Sequence, residues 1–133
     1  MAQAKAAVIR SDLDIVIART LARDTAKSLG FGPIDQARIA TAVSELARNI
    51  FLYAGSGSVT VREVEKGGHK GIEIVCEDQG PGIPDVDIAL QDGYSTSRGM
   101  GMGLPGAKRL MDEFDITTQD GVGTTIRCCK WRM

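Results

Sequence analysis

A glutamate and an asparagine stand four positions apart in the segment from Glu45 to Asn49 of this 133-residue chain. On an α-helix, side chains at this spacing lie on one face, about 6 Å apart along the axis. The amide oxygen of Asn49 suits Mg²⁺, a hard cation that takes few protein ligands and keeps several waters. The carboxylate of Glu45 is able to accept a hydroxyl proton during phosphoryl transfer. Taken alone, the pair also fits a solvated helix surface.

A second candidate is the segment Asp78-Gln79-Gly80-Pro81-Gly82, which directly follows a strand-like run. Its glycines permit positive φ and let the backbone approach a flat ligand, and its proline restricts one dihedral. The ionised carboxylate of Asp78 only accepts hydrogen bonds, so it suits the exocyclic amine of adenine. The same composition is also typical of a simple turn between a strand and a helix.

The third candidate is glycine-rich, runs over residues 99–103 and leads into a predicted helix with Pro105 near its start. Such a loop presents unpaired N–H groups and the positive end of a helix dipole to an anion. Gly101, Gly103 and Gly106 also match the dinucleotide fingerprint G-x-G-x-x-G. No strand precedes them and too few residues follow for a βαβ unit, so that interpretation fails. The chain contains neither a P-loop motif nor the motifs of eukaryotic-type kinases.

The fourth candidate, residues 121–125, lies between two predicted strands and by itself is typical of a hairpin turn. Each of the four segments is a weak signal by itself. Their combination, in this order and on these predicted elements, is hard to explain by coincidence. Together they provide a metal ligand and a base, a partner for adenine, a phosphate loop and a second contact on the adenine side. The four segments therefore predict a site for ATP and Mg²⁺.

The elements that must position these residues follow from hydrophobic periodicity. Apolar residues recur at helical spacing from Ser11 or Asp12 to Gly30, and again over residues 35–54. In the first of these helices the recurring residues are Leu13, Val16, Ile17, Leu21 and Leu29. In the second, Glu45 and Asn49 project about 90–130° away from the apolar stripe, so they flank the core, whereas Arg48 points towards solvent.

Alternating residues in the second half predict strands. One hairpin turns at Gly67-Gly68 with a loose six-residue connection, and a final hairpin turns over residues 120–123. A third helix is predicted over residues 104–112. We therefore expect an α/β (α+β) fold, a two-layer sandwich of three main helices on one mixed, mostly antiparallel sheet. Residues 1–133 form one domain, because no repeat or linker interrupts them.

Composition narrows the classes of partner. Sixteen basic and seventeen acidic side chains leave a formal charge of −1, so a nucleic-acid partner is not expected. No apolar run approaches the ~20 residues that cross a membrane, and no signal-peptide pattern is present, so no membrane association and a cytoplasmic location are expected. Cys76, Cys128 and Cys129 form no CxxC pair and are interpreted as buried free thiols.

With these motifs in place, the chain resembles the Bergerat-fold (GHKL) ATPase superfamily. Within it the resemblance is to the anti-sigma-factor type of serine kinase, and most closely to the stressosome switch kinases. It runs from about Asp14 to Trp131, and its most specific blocks are residues 43–49, 77–84 and 103–114. The chain departs from the common pattern at Ile50, Met102 and Pro105. These departures concern the shape of a lid more than ATP binding.

The resemblance implies that Glu45 is the catalytic general base. The residues that it implies in ATP binding are Asn49, Asp78, Gly80, Gly82, Arg98, Gly101, Gly103, Leu104 and Thr124. Asn49 is the implied Mg²⁺ ligand, and Thr124 supports the adenine contact of Asp78. Gly80 and Gly82 shape that wall of the pocket.

The resemblance also places backbone amides of Gly101, Gly103 and Leu104 at the phosphates. It further implies that residues 93–100 form a flexible lid in which Arg98 contacts phosphate. The implied enzyme is an ATP·Mg²⁺-dependent protein-serine kinase of a partner-switching stress-signalling module. Its substrates are a STAS-domain antagonist and scaffold, and after release it binds and activates a PP2C-type phosphatase.

Two alternatives remain open. In the first, the chain is a non-catalytic regulator, either an anti-sigma factor or a phosphatase activator, whose conformation responds to ATP. In the second, it is a relative of sensor histidine kinases and has a histidine substrate. The presence of both Glu45 and Asn49 favours the enzyme.

Overall fold

The structure is a computed structural model that describes residues 4–80, 103–119 and 121–132. In chain order its elements are β1 (Lys5–Ile9), α1 (Asp12–Ser28), α2 (Pro33–Ala54), β2 (Gly57–Lys66), β3 (His69–Asp78), α3 (Gly103–Leu110), β4 (Glu113–Gln119) and β5 (Gly123–Trp131). The strands hydrogen-bond in the order β1-β2-β3-β5-β4. The helices and the sheet share one hydrophobic core, which confirms the predicted two-layer sandwich. Every pairing between the described strands is antiparallel, in agreement with the mostly antiparallel sheet that we expected.

Helix α1 begins as predicted but packs through different residues. The Ser11 hydroxyl accepts a hydrogen bond from Asp14 N, and the Asp14 carboxylate accepts one from Arg10 N at 2.9 Å. The buried residues are Ile15, Ala18, Ala22 and Ala26. Three of the large residues that predicted the helix are exposed by half or more: Leu13 67%, Val16 54% and Ile17 50%. Small alanine side chains let α1 approach α2 closely, and that contact selects the alanine stripe over the larger residues.

Helix α2 is the central helix, since it packs against both α1 and α3. It starts with Pro33 after the N-cap Gly32 and stops at Gly55, whose φ of 81° ends the helix. The predicted apolar stripe is buried as expected: Ile39, Val43, Leu46 and Ile50. This burial orients the remaining faces of α2, including the one that carries Glu45 and Asn49. Among the described helices, none is long and apolar enough to cross a membrane.

The hairpin between β2 and β3 is tighter than the predicted six-residue connection. Lys66 pairs directly with His69, so the turn consists only of Gly67 and Gly68. Their φ angles of 59° and 82° match a two-residue turn with positive φ at both positions, which follows the twist of the paired strands. Because the turn is shorter than predicted, β2 and β3 are longer, and they pair from Lys66 and His69 as far as Gly57 and Asp78 at the opposite end of the strands.

The end of β5 holds the last turn of α3. The buried Lys130 ammonium donates to the Leu110 carbonyl at 3.1 Å and thereby satisfies a C-terminal carbonyl of the helix. Next to it, the Asp112 carboxylate accepts a hydrogen bond from Trp131 N at 2.7 Å. These contacts fix α3 against the sheet at its C-terminal end.

All three cysteines are buried and free, as predicted. Burial raises the pKa of Cys128 to about 12 and that of Cys129 to about 11. Both thiols therefore stay protonated at neutral pH and act as small apolar side chains.

A buried carboxylate joins three strands on the face of the sheet away from the core. The Glu73 side chain of β3 is only 5% exposed and accepts hydrogen bonds from Arg62 of β2 at 2.5 Å and Arg127 of β5 at 2.6 Å. Burial by itself raises the pKa of Glu73, but the two arginines outweigh it and hold the pKa below its usual value. The same strands carry Asp78 and Thr124 at their ends, so this cluster supports the candidate site.

Replacing Glu73 with glutamine is expected to lower the free energy of unfolding by about 2–3 kcal/mol, because two charge-assisted hydrogen bonds are lost. The native contribution is complete above the usual pKa of about 4.5 and is lost as the pH falls through the lower pKa of the folded state. Urea unfolding at pH 7 and at pH 3 checks both points. A gap between native and variant protein that does not shrink at pH 3 would contradict the assignment.

Candidate nucleotide site

The end of the sheet brings together two candidates that are far apart in sequence. Asp78 of β3 and Thr124 of β5 are directly opposite each other in the antiparallel register. Residues in such pairs have Cβ atoms about 4.5–5.5 Å apart. Two residues earlier on β3, Cys76 pairs with Ile126, and both side chains are in the core, so Asp78 and Thr124 also face the helices. Thr124 is 7% exposed and Asp78 is half-buried.

Each of these two side chains is held by a local hydrogen bond. Asp78 Oδ1 accepts a hydrogen bond from Gly80 N at 2.9 Å. The second carboxylate oxygen can accept a hydrogen bond from another donor. The hydroxyl groups of Thr124 and Thr118 are 3.1 Å apart, and Thr118 also donates to the Gly123 carbonyl at 3.2 Å. Thr118 was missed by the sequence analysis. Its place beside Thr124 follows from the register of β4 with β5, which no local pattern specifies.

Glycines allow the backbone around Asp78 to pack closely. A Cβ atom at Gly123, whose φ is 154°, would meet the backbone of Asp78, and one at Gly80 would lie 2.7 Å from Ala54 Cβ at the end of α2. A Cβ atom at Gly57 would lie 2.7 Å from the Ile50 side chain. Gly57 was not predicted as part of the site. These close approaches bring β3, β5 and the C-terminal end of α2 around the position proposed for adenine.

Glu45 and Asn49 lie on α2 and are both half-buried, which confirms that they flank the core. Asn49 Nδ2 is buried and has no hydrogen-bond partner among the described residues. A buried unpaired donor is unusual in a folded protein and indicates a missing partner such as a ligand. This orphaned amide fits a site that binds a metal–nucleotide complex.

Arg48 corrects one expectation. Its side chain is half-buried, and its Nε atom is buried without a hydrogen-bond partner in the described part of the chain, so the side chain does not simply extend into solvent. The helical phase predicted the direction of the Arg48 side chain relative to the sheet. It carries no information about tertiary packing against this face of α2.

Helix α3 packs against α2, and the position of its C-terminal end indicates the direction in which it runs. Leu110, at the C-terminal end of α3, lines a groove together with residues from the start of α2, from Pro33 to Thr41. Because α3 packs along α2, its N-terminal residues Gly103 and Leu104 lie towards the second half of α2. Leu104 is buried there. Gly103 and Leu104 therefore lie towards the same end of the helical layer as Asn49, the predicted metal ligand.

Three predicted site residues, Gly82, Arg98 and Gly101, lie outside the described residues, as does the predicted lid over residues 93–100. Among the residues that are described, no group of three or more His, Cys, Asp and Glu side chains could hold a metal ion.

The fold and these motifs agree with a known family. Residues 34–132 match the family of histidine kinase-, DNA gyrase B- and HSP90-like ATPases. The chain belongs to this family.

Similar proteins narrow the class further. The serine/threonine-protein kinase RsbT of Bacillus subtilis is 58% identical over 123 residues, which cover 92% of both chains. An anti-sigma F factor of a Thermoanaerobacter species is 32% identical and covers 71% of this chain and 69% of its own. The predicted assignment to the serine/threonine-protein kinases of this family, the branch related to anti-sigma factors, is confirmed.

Solved structures support the fold. The RsbU and RsbW domains of a Mycobacterium tuberculosis protein align with a TM-score of 0.66 at 19% identity, over 99% of this chain and 32% of that one. A chain of the SiaB–SiaC complex from Pseudomonas aeruginosa aligns with a TM-score of 0.53 at 14% identity, over 98% of this chain and 89% of that one.

Proposed function

We propose that this chain is an ATP·Mg²⁺-dependent kinase that phosphorylates a serine of a STAS-domain antagonist and its scaffold relative in a partner-switching stress-signalling module. The observation that carries the proposal is the pairing of Asp78 with Thr124 at the end of the sheet, next to the helix that bears Glu45 and the orphaned amide of Asn49. The similarity to RsbT supports the reaction type.

In this proposal the free carboxylate oxygen of Asp78 accepts a hydrogen bond from the adenine amine, and Thr124 supports the same contact. Gly80 and Gly82 allow the base to approach the backbone. Asn49 would hold Mg²⁺, a cation that takes few protein ligands. When bound, ATP would supply the phosphoryl group and Mg²⁺ would partly neutralise the charge on it.

The phosphates are received by the start of α3. Backbone amides of Gly101, Gly103 and Leu104 are proposed to donate to phosphate oxygens, because the first N–H groups of a helix have no partner within the helix. Arg98 is proposed as a further phosphate contact. Pro105 follows at a position where a missing N–H costs nothing, since the early N–H groups of the helix are unpaired in any case.

Glu45 is proposed to act on the protein substrate. Its carboxylate lies one helical turn before Asn49, so the two groups are about 6 Å apart along the axis. At this position Glu45 would accept the proton of the serine hydroxyl as the serine oxygen bonds to the γ-phosphorus and the bond from that phosphorus to the departing ADP breaks. The remaining contribution of the chain is to orient the two reacting groups and exclude water.

The proposed partners follow from the family branch. The antagonist and scaffold are substrates, and the released kinase binds and activates a PP2C-type phosphatase in the cytoplasm. The similarity to an anti-sigma F factor supports a second candidate function, a regulator that binds its target in response to ATP without transferring phosphate.

Incubation with γ-labelled ATP, Mg²⁺ and a candidate STAS-domain protein tests the proposal. We expect label on the partner that is stable in acid, as phosphoserine is, and none when EDTA replaces Mg²⁺ or when the acceptor serine is changed to alanine. ATP binding without transfer would support the regulator instead. Label that is lost in acid would indicate phosphohistidine and would contradict the serine assignment.

A further inference from the structure

An arginine that the proposed mechanism does not use lies between its two main residues. Arg48 comes three positions after Glu45 and directly before Asn49 on α2. Other arginines of the structure, such as Arg62 and Arg127, have a carboxylate partner. Arg48 instead has a buried Nε atom with no partner among the described residues.

This arrangement is costly unless an anion is bound. A guanidinium stays charged at every relevant pH, and a buried donor that lacks a partner costs about 1–3 kcal/mol, or more when it carries charge. Asn49 Nδ2 is a second buried donor without a partner, on the next residue. Two adjacent donors, one of them on a cationic group, thus lack partners within the described part of the chain, and an anion is the acceptor that suits both.

The geometry of the helices indicates which part of a nucleotide that anion is. Ala37, Thr41 and Arg48 lie in one row along α2, because their spacings of four and seven residues keep them on one face. The first two line the groove with Leu110 of α3. Arg48 lies seven residues, about 10.5 Å, beyond Thr41, and Gly103 lies seven residues before Leu110. Arg48 is therefore level with the N-terminal end of α3.

We propose that Arg48 donates hydrogen bonds to the terminal phosphate of the nucleotide, opposite the backbone amides at the start of α3. This inference rests on the proposed function and adds a residue to it. Adenine is assigned to the end of the sheet at Asp78, so the phosphate chain is the anionic part that reaches Asn49 and Arg48. A planar guanidinium is suited to a phosphoryl group because two of its N–H groups can bond two oxygens at once.

The test uses Arg48→Met, which keeps the apolar stem and removes the charge, together with Arg48→Lys. The matched control is Arg38→Met, because Arg38 is on the same helix but pairs with Asp35 at the surface. Calorimetric titration with ATP, ADP and AMP, and thermal unfolding without nucleotide, are measured for each protein.

We expect Arg48→Met to weaken ATP binding about 10–100-fold, as the loss of a charged hydrogen bond does, and to leave AMP binding unchanged. Arg48→Lys should recover part of the ATP affinity. The melting temperature without nucleotide should stay the same or rise, because a buried donor that lacks a partner among the described residues is removed. Arg38→Met should leave all three affinities unchanged.

Different outcomes separate this inference from the proposed function. If the native chain binds no ATP, the proposed function fails. If the native chain binds ATP and Arg48→Met binds it equally well, only the role of Arg48 fails, and a simultaneous loss of transfer to the partner would place Arg48 at the protein substrate. An equal loss for ATP and AMP, or a lower melting temperature without nucleotide, would show a structural role and overturn the inference.

Discussion

Replacing Asp78 with asparagine is expected to weaken ATP binding at least about 100-fold while β3 and β5 stay paired. The reason is the hydrogen bond that Asp78 Oδ1 accepts from Gly80 N. A carboxylate satisfies Gly80 with one oxygen and the adenine amine with the other. An amide has one oxygen and one NH₂ group, so it must place a donor against a donor, either at Gly80 N or at adenine.

The matched control is Glu77→Gln, because Glu77 is the preceding residue, is exposed and faces the opposite side of β3. It makes the same chemical change on the other face of the strand, and we expect near-native ATP affinity. Titration calorimetry of both variants with ATP and with inosine triphosphate is the measurement. Inosine carries an oxygen where adenosine carries the amine, so Asp78→Asn should shift the preference towards inosine triphosphate. Unchanged ATP affinity and unchanged preference would remove Asp78 from the adenine contact.

Replacing Glu45 with alanine or glutamine is expected to abolish most phosphoryl transfer and to preserve ATP binding. General-base catalysis contributes about 10²–10⁴-fold to a rate, so single-turnover transfer to the partner should fall by that factor. Glu45 is half-buried on the flank of α2, outside the stripe that packs in the core, so the fold should tolerate the change. Glutamine keeps the shape of the side chain and isolates the loss of the base.

Glu65→Gln serves as the control, since Glu65 is an exposed residue of β2 outside the candidate site. Native, Glu45 and Glu65 proteins are compared by labelled transfer at saturating ATP and by nucleotide titration. Normal transfer by the Glu45 variants would show that another group accepts the serine proton. Loss of ATP binding together with transfer would instead assign Glu45 to binding.

The two largest expected effects thus concern residues that were identified from sequence, but the structure supplies the reason for one of them. The role of Asp78 as an acceptor came from its type and from the glycines that follow it. That one of its oxygens is already occupied by Gly80 N is a finding of the structure, and it is what makes asparagine a poor replacement.

For the fold, the helices α2 and α3 and all four strands of the second half were predicted to within a few residues, because long periodic runs and glycine-bounded segments are local properties. The buried face of α1 was not predicted. Leu13, Val16 and Ile17 dominate any hydrophobicity pattern, yet the stripe of Ile15 and three alanines is the one that packs. Which of two overlapping stripes is buried depends on how close the neighbouring helix comes.

The sequence by itself determined the four motifs of the candidate nucleotide site, their order, and through them the family, because residue types and spacings are properties of the chain alone. Only the tertiary structure decided which of those residues meet. The pairing of Asp78 with Thr124 depends on strand register, which joins residues tens of positions apart. The support from Thr118 depends on the register of β4 with β5, and the close approach of Gly57 to Ile50 depends on the packing of α2 on the sheet. The burial of Arg48 Nε likewise depends on the tertiary packing around α2. Pairing and coverage are set by packing of the whole fold, so no local pattern contains them.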